Sequence, residues 1–160
     1  MIEYRKIEPA DDAKIAKIIR SNLEKFHLDI PGTAYFDPEL DHLSAYYNRE
    51  PLKRCYFIAL DEADRVIGGI GIAEFDGIEY CAEMQKLYLD DCAKGKGYSR
   101  KLVAAAESWA REAGYKQVYL ETHSNLKVAM GLYEKLGFTQ IEKPACVVHS
   151  TMDHFYLKYL

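Results

Sequence analysis

The sequence has 160 residues, of which 49% are apolar, and this composition suits one globular domain covering residues 1–160. Its formal net charge of −4 argues against nucleic acid or an anionic membrane as the principal partner. The four cysteines show no C-x-x-C spacing and the five histidines no metal-binding pair, so we expect reduced thiols and no metal cofactor. With no stretch of 18 apolar residues and no leader-like N-terminus, the sequence predicts a cytoplasmic protein.

The first part of the chain is predicted to form one strand and two helices. Residues 2–7 alternate enough for a strand, and apolar residues at helical spacing predict a helix over about 11–26. Segment 28–37 is rich in aromatic residues and too broken for regular structure. Pro38 suits the first turn of a second helix that ends near Asn48.

The middle of the chain is predicted to be an antiparallel meander, with strands over 55–60, 66–73 and 80–89. A helix over about 97–113 then leads to a strand over 117–122. This strand–helix–strand step implies a right-handed crossover and parallel pairing. The predicted fold class is therefore mixed α/β, with a parallel pair inside a mostly antiparallel sheet.

The chain is predicted to end with one more helix and two strands. Ser124 or Asn125 is expected to cap the helix, which ends at 136–137 where a glycine follows the last apolar residue. Strands over 139–142 and 152–160 then close the sheet.

The loop between strand 80–89 and the next helix is basic and contains two glycines. Glycines let a ligand approach the backbone, and the helix start beyond them leaves amide N–H groups without partners. Because a helix N-terminus attracts anions, the loop is predicted to hold phosphate. The alternative is a tight strand-to-helix turn that binds nothing. Four cations within 94–101 of an acidic chain favour the first interpretation: Lys94, Lys96, Arg100 and Lys101.

Two other nucleotide motifs do not fit this loop. The P-loop sequence is absent, and a dinucleotide fingerprint would need a third glycine where Arg100 stands. The sequence Lys94-Gly95-Lys96-Gly97-Tyr98-Ser99 instead resembles the Q/R-x-x-G-x-G/A motif of the GCN5-related N-acetyltransferases, the GNAT family. Lys94 and Ser99 depart from that motif, at positions where Arg or Gln, and Gly or Ala, are usual.

A second signature of that family lies downstream, in Asn125, Ala129 and the run 132–138. The two motifs together extend the resemblance over nearly the whole chain. It implies the GNAT fold, in which a mostly antiparallel twisted sheet contains a parallel, splayed pair of strands and carries helices on both faces.

The resemblance also implies an activity, the transfer of an acetyl group from acetyl-coenzyme A to a primary amine of a small molecule or amino acid. Segment 28–37 would carry the acceptor-binding wall, or its Tyr35 and Phe36 would only pack the helices onto the sheet. A non-catalytic acyl-coenzyme A sensor needs the same loop, and a homodimer is left open. The residues implied to bind the cofactor are Leu87, Tyr88, Leu89, Lys94, Gly95, Lys96, Gly97, Tyr98, Ser99 and Asn125.

Direct attack by the amine would pass through a tetrahedral intermediate, whose oxyanion the family stabilises with a backbone N–H beside a bulge in the cofactor strand, here within 87–89. Tyr133 matches the tyrosine of the family's helix motif and is predicted to protonate the departing thiolate. The alternative is a core aromatic, because Tyr133 also falls on an apolar stripe of its helix. Asn125 likewise matches the asparagine that contacts the pantetheine arm, or is a helix cap.

Glu83, on the cofactor strand, is the leading candidate for the general base. Without a bulge Glu83, Gln85 and Leu87 would share one face of the strand, whereas a bulge would change that alternation. The reserve candidates for the base are Glu121, His149 and Asp153.

Overall fold

The structure, a computed structural model, describes residues 2–147 and 150–160. Within these residues, seven strands form one sheet in the spatial order β1-β2-β3-β4-β5-β7-β6. No helix among them has the length and apolar character needed to span a bilayer. The strands are β1 (Glu3–Lys6), β2 (Cys55–Leu60), β3 (Val66–Glu74), β4 (Cys81–Leu89), β5 (Gln117–Thr122), β6 (Thr139–Ile141) and β7 (His154–Tyr159). The helices are α1 (Asp12–Lys25), α2 (Leu43–Asn48), α3 (Tyr98–Glu112) and α4 (Lys127–Lys135).

Helices cover both faces of the sheet. On one face, α1 and α2 bury residues such as Ile15 and Leu43, which recur at helical spacing, against β2 and β3. On the other face, α3 and α4 contribute Leu102, Ala106 and Tyr133 to a second core. The mixed α/β fold class with helices on both faces is confirmed.

Strand pairing is antiparallel except at the centre of the sheet. There β4 and β5 run parallel, as the predicted crossover requires, but they pair at only three positions, 81–83 with 117–119. Beyond these positions β5 keeps its pairing with β7 over its whole length, whereas β4 keeps its pairing with β3. The two central strands therefore diverge, and the gap between them is where the candidate site lies.

The predicted start of the second helix is wrong. Helix α2 begins at Leu43 rather than Pro38, because a 3-10 turn at Leu40–His42 comes first. The position of α2 is fixed by α1, since the Asp12 carboxylate accepts hydrogen bonds from the Ser44 N–H (2.9 Å) and hydroxyl (2.7 Å).

The predicted cap of the last helix is also wrong. Helix α4 follows Leu126, and neither Ser124 nor Asn125 caps it. The Ser124 hydroxyl instead donates to Asp153 at 2.7 Å, and Asn125 Nδ2 donates to the Phe26 carbonyl at 3.0 Å. These two side chains tie the β5–α4 connection to the segment before β7 and to the end of α1.

Strand β4 contains a β-bulge beside the point where it leaves β5. Gly69 pairs with Tyr88 and Gly71 with Gln85, so β4 has one residue more than β3 between these pairs. Lys86, within the bulge, has a φ of 50°, a left-handed conformation that is rare for residues with a side chain. The bulge implied by the family resemblance is therefore present in this strand.

Candidate active site

The divergence of β4 and β5 opens a cavity of about 670 Å³. Its walls come from β4, β5, the start of α4 and the segment 32–37 that connects α1 and α2. Lys96, Gly97 and Tyr98, which were predicted to bind the cofactor, lie outside the lining. The predicted site residues that line the cavity are Glu83, Leu87, Tyr88, Leu89, Lys94, Gly95, Ser99, Asn125 and Tyr133.

The loop between β4 and α3 turns on two glycines at one end of this cavity. Gly95 and Gly97 have φ values of 76° and 77°, which glycine adopts without strain. A Cβ at either position would meet no described atom within 4 Å, so the space beyond the backbone is open. Helix α3 begins at Tyr98, and no side chain caps its first turn. Its first amide groups are therefore available to an anion.

The loop cations differ in their partners. Lys94 Nζ lies 2.8 Å from the carboxylate of Asp91, which also pairs with Lys25 of α1. The ammonium group of Lys94 additionally lies 5.6 Å from the centroid of the Phe26 ring. Three cations are exposed, form no ion pair within residues 2–147 and 150–160, and are the most available to a phosphate: Lys96, Arg100 and Lys101.

The backbone of β4 beyond the bulge is exposed to the cavity. Met84 and Leu87 both pack into the core on the α3 face, so the bulge between them shifts the alternation of the strand by one residue. Among the described strands, none pairs with the β5 side of β4 beyond Glu83. The Leu89 carbonyl accepts a hydrogen bond from Asn22 Nδ2 at 2.8 Å, but the other main-chain groups around 87–89 on this side have no strand partner among the described residues and can bind a ligand.

Tyr133 lies on α4 and its ring is packed edge-on against Phe138, with Tyr156 on another side. Only 8% of the residue is exposed, and its hydroxyl has no hydrogen-bond partner among the described residues. Because the residue lines the cavity, that hydroxyl can reach a ligand there. Burial raises the pKa of Tyr133 to about 12, so the phenol keeps its proton at neutral pH.

Glu83 lies on the opposite face of the sheet from Tyr133, where its Oε1 accepts a hydrogen bond of 2.8 Å from Gln85 Nε2. Desolvation by burial raises the pKa of Glu83 to about 7, although the hydrogen bond from Gln85 opposes this shift. The nearby carboxylate of Glu121 also raises the pKa, because two like charges disfavour each other. A carboxyl group with a pKa near neutrality is suited to general base catalysis.

The reserve candidates differ in their environments. Glu121 lines the cavity and accepts hydrogen bonds from the hydroxyls of Tyr119 (2.9 Å) and Ser150 (3.3 Å). Asp153 does not line it; burial alone would raise the pKa of Asp153, but hydrogen bonds from His154 and Ser124 lower it to about 2. Such a carboxylate is a weak base. His149 lies outside the described residues. Within the described residues, no group of three or more His, Cys, Asp or Glu side chains is arranged to bind a metal ion.

Two buried tyrosines anchor the bulge, and no sequence motif marks them as site residues. The hydroxyl of Tyr56 donates to the Lys86 carbonyl at 2.9 Å, and that of Tyr47 donates to Gln85 Oε1 at 2.7 Å. Tyr47 is buried one helical turn after Leu43 on α2, and the two residues form an apolar stripe. A phenol in such a stripe was the available signal, because buried tyrosine hydroxyls need a polar partner.

The fold and the cavity define an α/β enzyme whose site opens where two parallel strands diverge. A model of the acetyltransferase (GNAT) family matches residues 20–138. The N-acetyltransferase YjgM of Escherichia coli (strain K12), itself named as uncharacterized, is 38% identical over 140 residues, which are 86% of this chain and 82% of that protein. The chain therefore belongs to the GNAT family, and it is an acetyltransferase.

Solved structures share the fold at lower identity. A GNAT-family acetyltransferase from Staphylococcus aureus MU50 superposes with a TM-score of 0.87 at 18% identity, covering 100% of this chain and 99% of that one. YncA from Salmonella typhimurium, solved with acetyl-coenzyme A, gives a TM-score of 0.74 at 23% identity, covering 100% and 94%. These two structures match the fold of this chain from end to end.

Proposed function

We propose that this chain, acting as one N-acetyltransferase domain over 1–160, transfers the acetyl group of acetyl-coenzyme A to a primary amine of a small molecule or amino acid. One observation carries the proposal: Glu83 and Tyr133 come from opposite faces of the sheet and line the same cavity. A base and an acid that meet in this way suit an acyl transfer, in which the acceptor loses a proton and the leaving thiolate gains one.

The residues present fit acetyl-coenzyme A, the ligand of the Salmonella structure, as the donor. Gly95, Gly97 and the uncapped first turn of α3 offer N–H groups to a pyrophosphate, and Lys96 and Arg100 add charge. The unpaired main chain of β4 offers partners to the amide groups of a pantetheine arm. When bound, the donor supplies a thioester whose carbonyl carbon an amine can attack.

The first task of the site is to remove a proton from the acceptor. An alkyl ammonium group has a pKa near 10.4, so its deprotonation at pH 7 costs roughly 4.6 kcal/mol. Glu83, with a pKa raised to about 7, is a stronger proton acceptor than an ordinary carboxylate. Because Glu83 must be ionised to act, activity should be lost as the pH falls through about 7.

Two further groups would stabilise the charge that the attack creates. A backbone N–H in the 87–89 segment of β4 donates to the carbonyl oxygen as negative charge develops on it. Tyr133 donates its proton to the departing sulfur, since its hydroxyl has no competing partner among the described residues and stays protonated. Asn125 also lines the cavity, where it could contact the donor, although its Nδ2 already donates to the Phe26 carbonyl.

Replacing Tyr133 with Phe should lower kcat by about 10- to 10³-fold, because a thiolate is a tolerable leaving group even without an acid. The KM for acetyl-coenzyme A should change much less, since the ring and its packing remain. Thiol-release kinetics and thermal melting measure the two effects. Tyr156→Phe is the matched control, because that ring packs on Tyr133 while its hydroxyl binds Glu134. Equal turnover of Tyr133→Phe and the control would assign Tyr133 to the core alone.

We assign the acceptor to the part of the cavity that is lined by β4, β5 and segment 32–37, away from the lining cations of the loop and of α4, Lys94 and Lys127. This acceptor end carries more negative than positive charge. Asp37, Glu83 and Glu121 line it together with Lys86. The ammonium group of Lys86 is already paired with Asp37 at 2.8 Å and lies 3.8 Å from Glu39. An acceptor carboxylate would therefore meet no unpaired cation from these lining residues, whereas a second ammonium group would be attracted.

We expect the enzyme to acetylate amino-acid amides with kcat/KM at least about tenfold higher than the matching free amino acids. Each pair differs only in the carboxylate, so the comparison isolates its charge. Thiol release from acetyl-coenzyme A, measured over such pairs and a set of diamines, tests both the activity and this preference. Faster reaction of the free amino acids would show that the acceptor end attracts a carboxylate, contrary to the inferred negative charge. Binding of acetyl-coenzyme A without turnover of any amine would favour the acyl-coenzyme A sensor.

We also propose a cytoplasmic location. All four cysteines are free, and two of them, Cys92 and Cys146, are exposed. Exposed free thiols are typical of reducing compartments.

A further inference from the structure

A line of hydrogen bonds runs from the buried core of α2 to the cavity. Tyr47 Oη donates to Gln85 Oε1 at 2.7 Å, and Gln85 Nε2 donates to Glu83 Oε1 at 2.8 Å. Tyr47 is completely buried, with 0% of its surface exposed, whereas Glu83 and Gln85 line the cavity. The carboxylate in the site is therefore connected to a fixed group in the core.

We propose that Tyr47 and Gln85 are positioning residues for the general base. Tyr47 holds the Gln85 amide with its NH₂ group toward Glu83, and this arrangement favours the ionised, proton-accepting carboxylate. The inference rests on the proposed function of Glu83, and it identifies the residues that set its charge state.

The hydroxyl of Tyr47 determines which group donates and which accepts in both hydrogen bonds. Its hydrogen needs an acceptor, because a buried donor without a partner is unfavourable. Gln85 Oε1 is the acceptor that this hydroxyl has among the described residues. With the amide oxygen held by Tyr47, the amide NH₂ group faces Glu83 and can only donate. Glu83 must then accept, which an ionised carboxylate does with either oxygen.

The reverse arrangement, in which a protonated Glu83 donates to Gln85, is unfavourable. If Glu83 carried a proton and donated it to Gln85 Oε1, the amide NH₂ group would turn toward Tyr47. The hydroxyl hydrogen of Tyr47 would then lose its acceptor inside the core. A Glu83 that is protonated on Oε2 can still accept from Gln85 through Oε1, but its neutral carbonyl is a weaker acceptor than a carboxylate. The line of hydrogen bonds therefore favours the ionised form and opposes the effect of burial.

The backbone of β3 is shaped to allow this contact. Gly71 pairs directly with Gln85, and a Cβ at Gly71 would collide with the ring and hydroxyl of Tyr47. The Tyr47 ring also packs against Tyr56, with 5.1 Å between centroids, and Tyr56 holds the bulge at Lys86. The absence of a side chain at Gly71 therefore gives the hydroxyl of Tyr47 its path to Gln85.

Other groups around Glu83 shift its pKa without donating a hydrogen bond to it. Desolvation raises the pKa most, Glu121 of β5 and Asp37 of the α1–α2 segment raise it further, and Lys86 of β4 lowers it. Among the described residues Gln85 is the donor to this carboxylate, so its orientation has the largest directional effect. Four other titratable groups that interact with Glu83 have raised pKa values and are neutral at pH 7, namely Tyr46, Tyr47, Cys81 and Tyr119. The carboxylate of Glu39 lies 3.8 Å from the ammonium group of Lys86.

The test measures the pKa of Glu83 by NMR of ¹³C-labelled glutamate carboxyl groups, with the resonance assigned by its loss in Glu83→Gln. In Tyr47→Phe the ring stays, but the Gln85 amide is free to turn its oxygen toward Glu83. The pKa of Glu83 should therefore rise by about half a unit to one unit. The acid limb of kcat/KM should move to higher pH by the same amount. An unchanged pKa in folded Tyr47→Phe would overturn the proposal.

Two further variants keep the test decisive. Tyr156→Phe is the matched control, since Tyr156 is as buried as Tyr47 but its hydroxyl donates to Glu134 and contacts neither Gln85 nor the bulge, and it should leave the pKa of Glu83 unchanged. Gln85→Met removes the donor itself, so it should raise the pKa at least as much as Tyr47→Phe, and the double variant should show no additional shift. A normal pKa in Gln85→Met, or fully additive shifts, would contradict the line.

The titration needs no turnover. Failure of the wild-type protein to acetylate any amine would refute the proposed function, and the NMR measurement would still decide whether Tyr47 and Gln85 set the charge of Glu83.

Discussion

Gly97→Asp is expected to weaken binding of acetyl-coenzyme A by at least about 100-fold while leaving the fold intact. Gly97 precedes the first residue of α3 with a φ of 77°, at the helix end to which the pyrophosphate is assigned. A carboxylate there would repel the phosphates. Folding should survive because aspartate tolerates this conformation better than most residues and is a favourable N-cap, and because the added Cβ meets no described atom within 4 Å. Calorimetry and thermal melting measure the two effects.

Gly97→Asn is the matched control for this variant. Asparagine has the same shape as aspartate and tolerates the same backbone conformation, but it carries no charge. The Asn variant should therefore lose much less affinity than the Asp variant, and salt should weaken binding to the wild-type protein. Equal losses in both variants would assign the effect to shape. Normal affinity of a folded Asp variant would remove this loop from the phosphate site.

The elements around the loop could be predicted because their signals are local. The two glycines, the cations and the apolar strands on either side all lie within one continuous stretch, and a strand–helix–strand step restricts the handedness of the crossover. The start of α2 could not be predicted, because the fixed φ of Pro38 suits a turn as well as a helix and the contact of Asp12 with Ser44 is tertiary. The same reason applies to Ser124, whose partner Asp153 is distant in sequence.

The candidate site, too, could be predicted only in part from the sequence. Glu83 and Tyr133 could be selected from motifs, but the direction of the Glu83 side chain depends on where β4 gains its extra residue. No residue type marks that position, since Lys86 adopts a conformation that is usual for glycine. The contact between Tyr47 and Gln85 depends in turn on that bulge and on Gly71 in another strand. This contact could therefore be identified only from the three-dimensional structure.

Replacing Glu83 with Gln should lower kcat by about 10²- to 10⁴-fold, because the amide keeps the shape of the acid but cannot accept the proton of the amine. Affinity for acetyl-coenzyme A should change little, since the donor is assigned to the loop and to the backbone of β4. The wild-type protein should lose activity as the pH falls through about 7, where burial places the pKa of Glu83. In the variant this acid limb of the pH profile should disappear from whatever activity remains.

The same substitution should stabilise the protein above neutral pH. The pKa of Glu83 in the folded state, about 7, exceeds the ordinary value of 4.5, so the fold favours the protonated acid. Stability is therefore lost as the pH rises from about 4.5 to 7 and stays reduced above it. Gln resembles the protonated acid, so Glu83→Gln should melt at a higher temperature than the wild-type protein at pH 8, with a smaller difference at pH 4.

A folded, stabilised and nearly inactive variant would be difficult to explain by a purely structural role for Glu83. Glu121→Gln is the informative comparison, because it removes another carboxylate that lines the cavity and raises the pKa of Glu83. Loss of that negative neighbour should lower the pKa of Glu83 and move the acid limb to lower pH. If turnover instead stays within a few-fold in Glu83→Gln and falls steeply in Glu121→Gln, then Glu121 is the base and Glu83 modulates its charge.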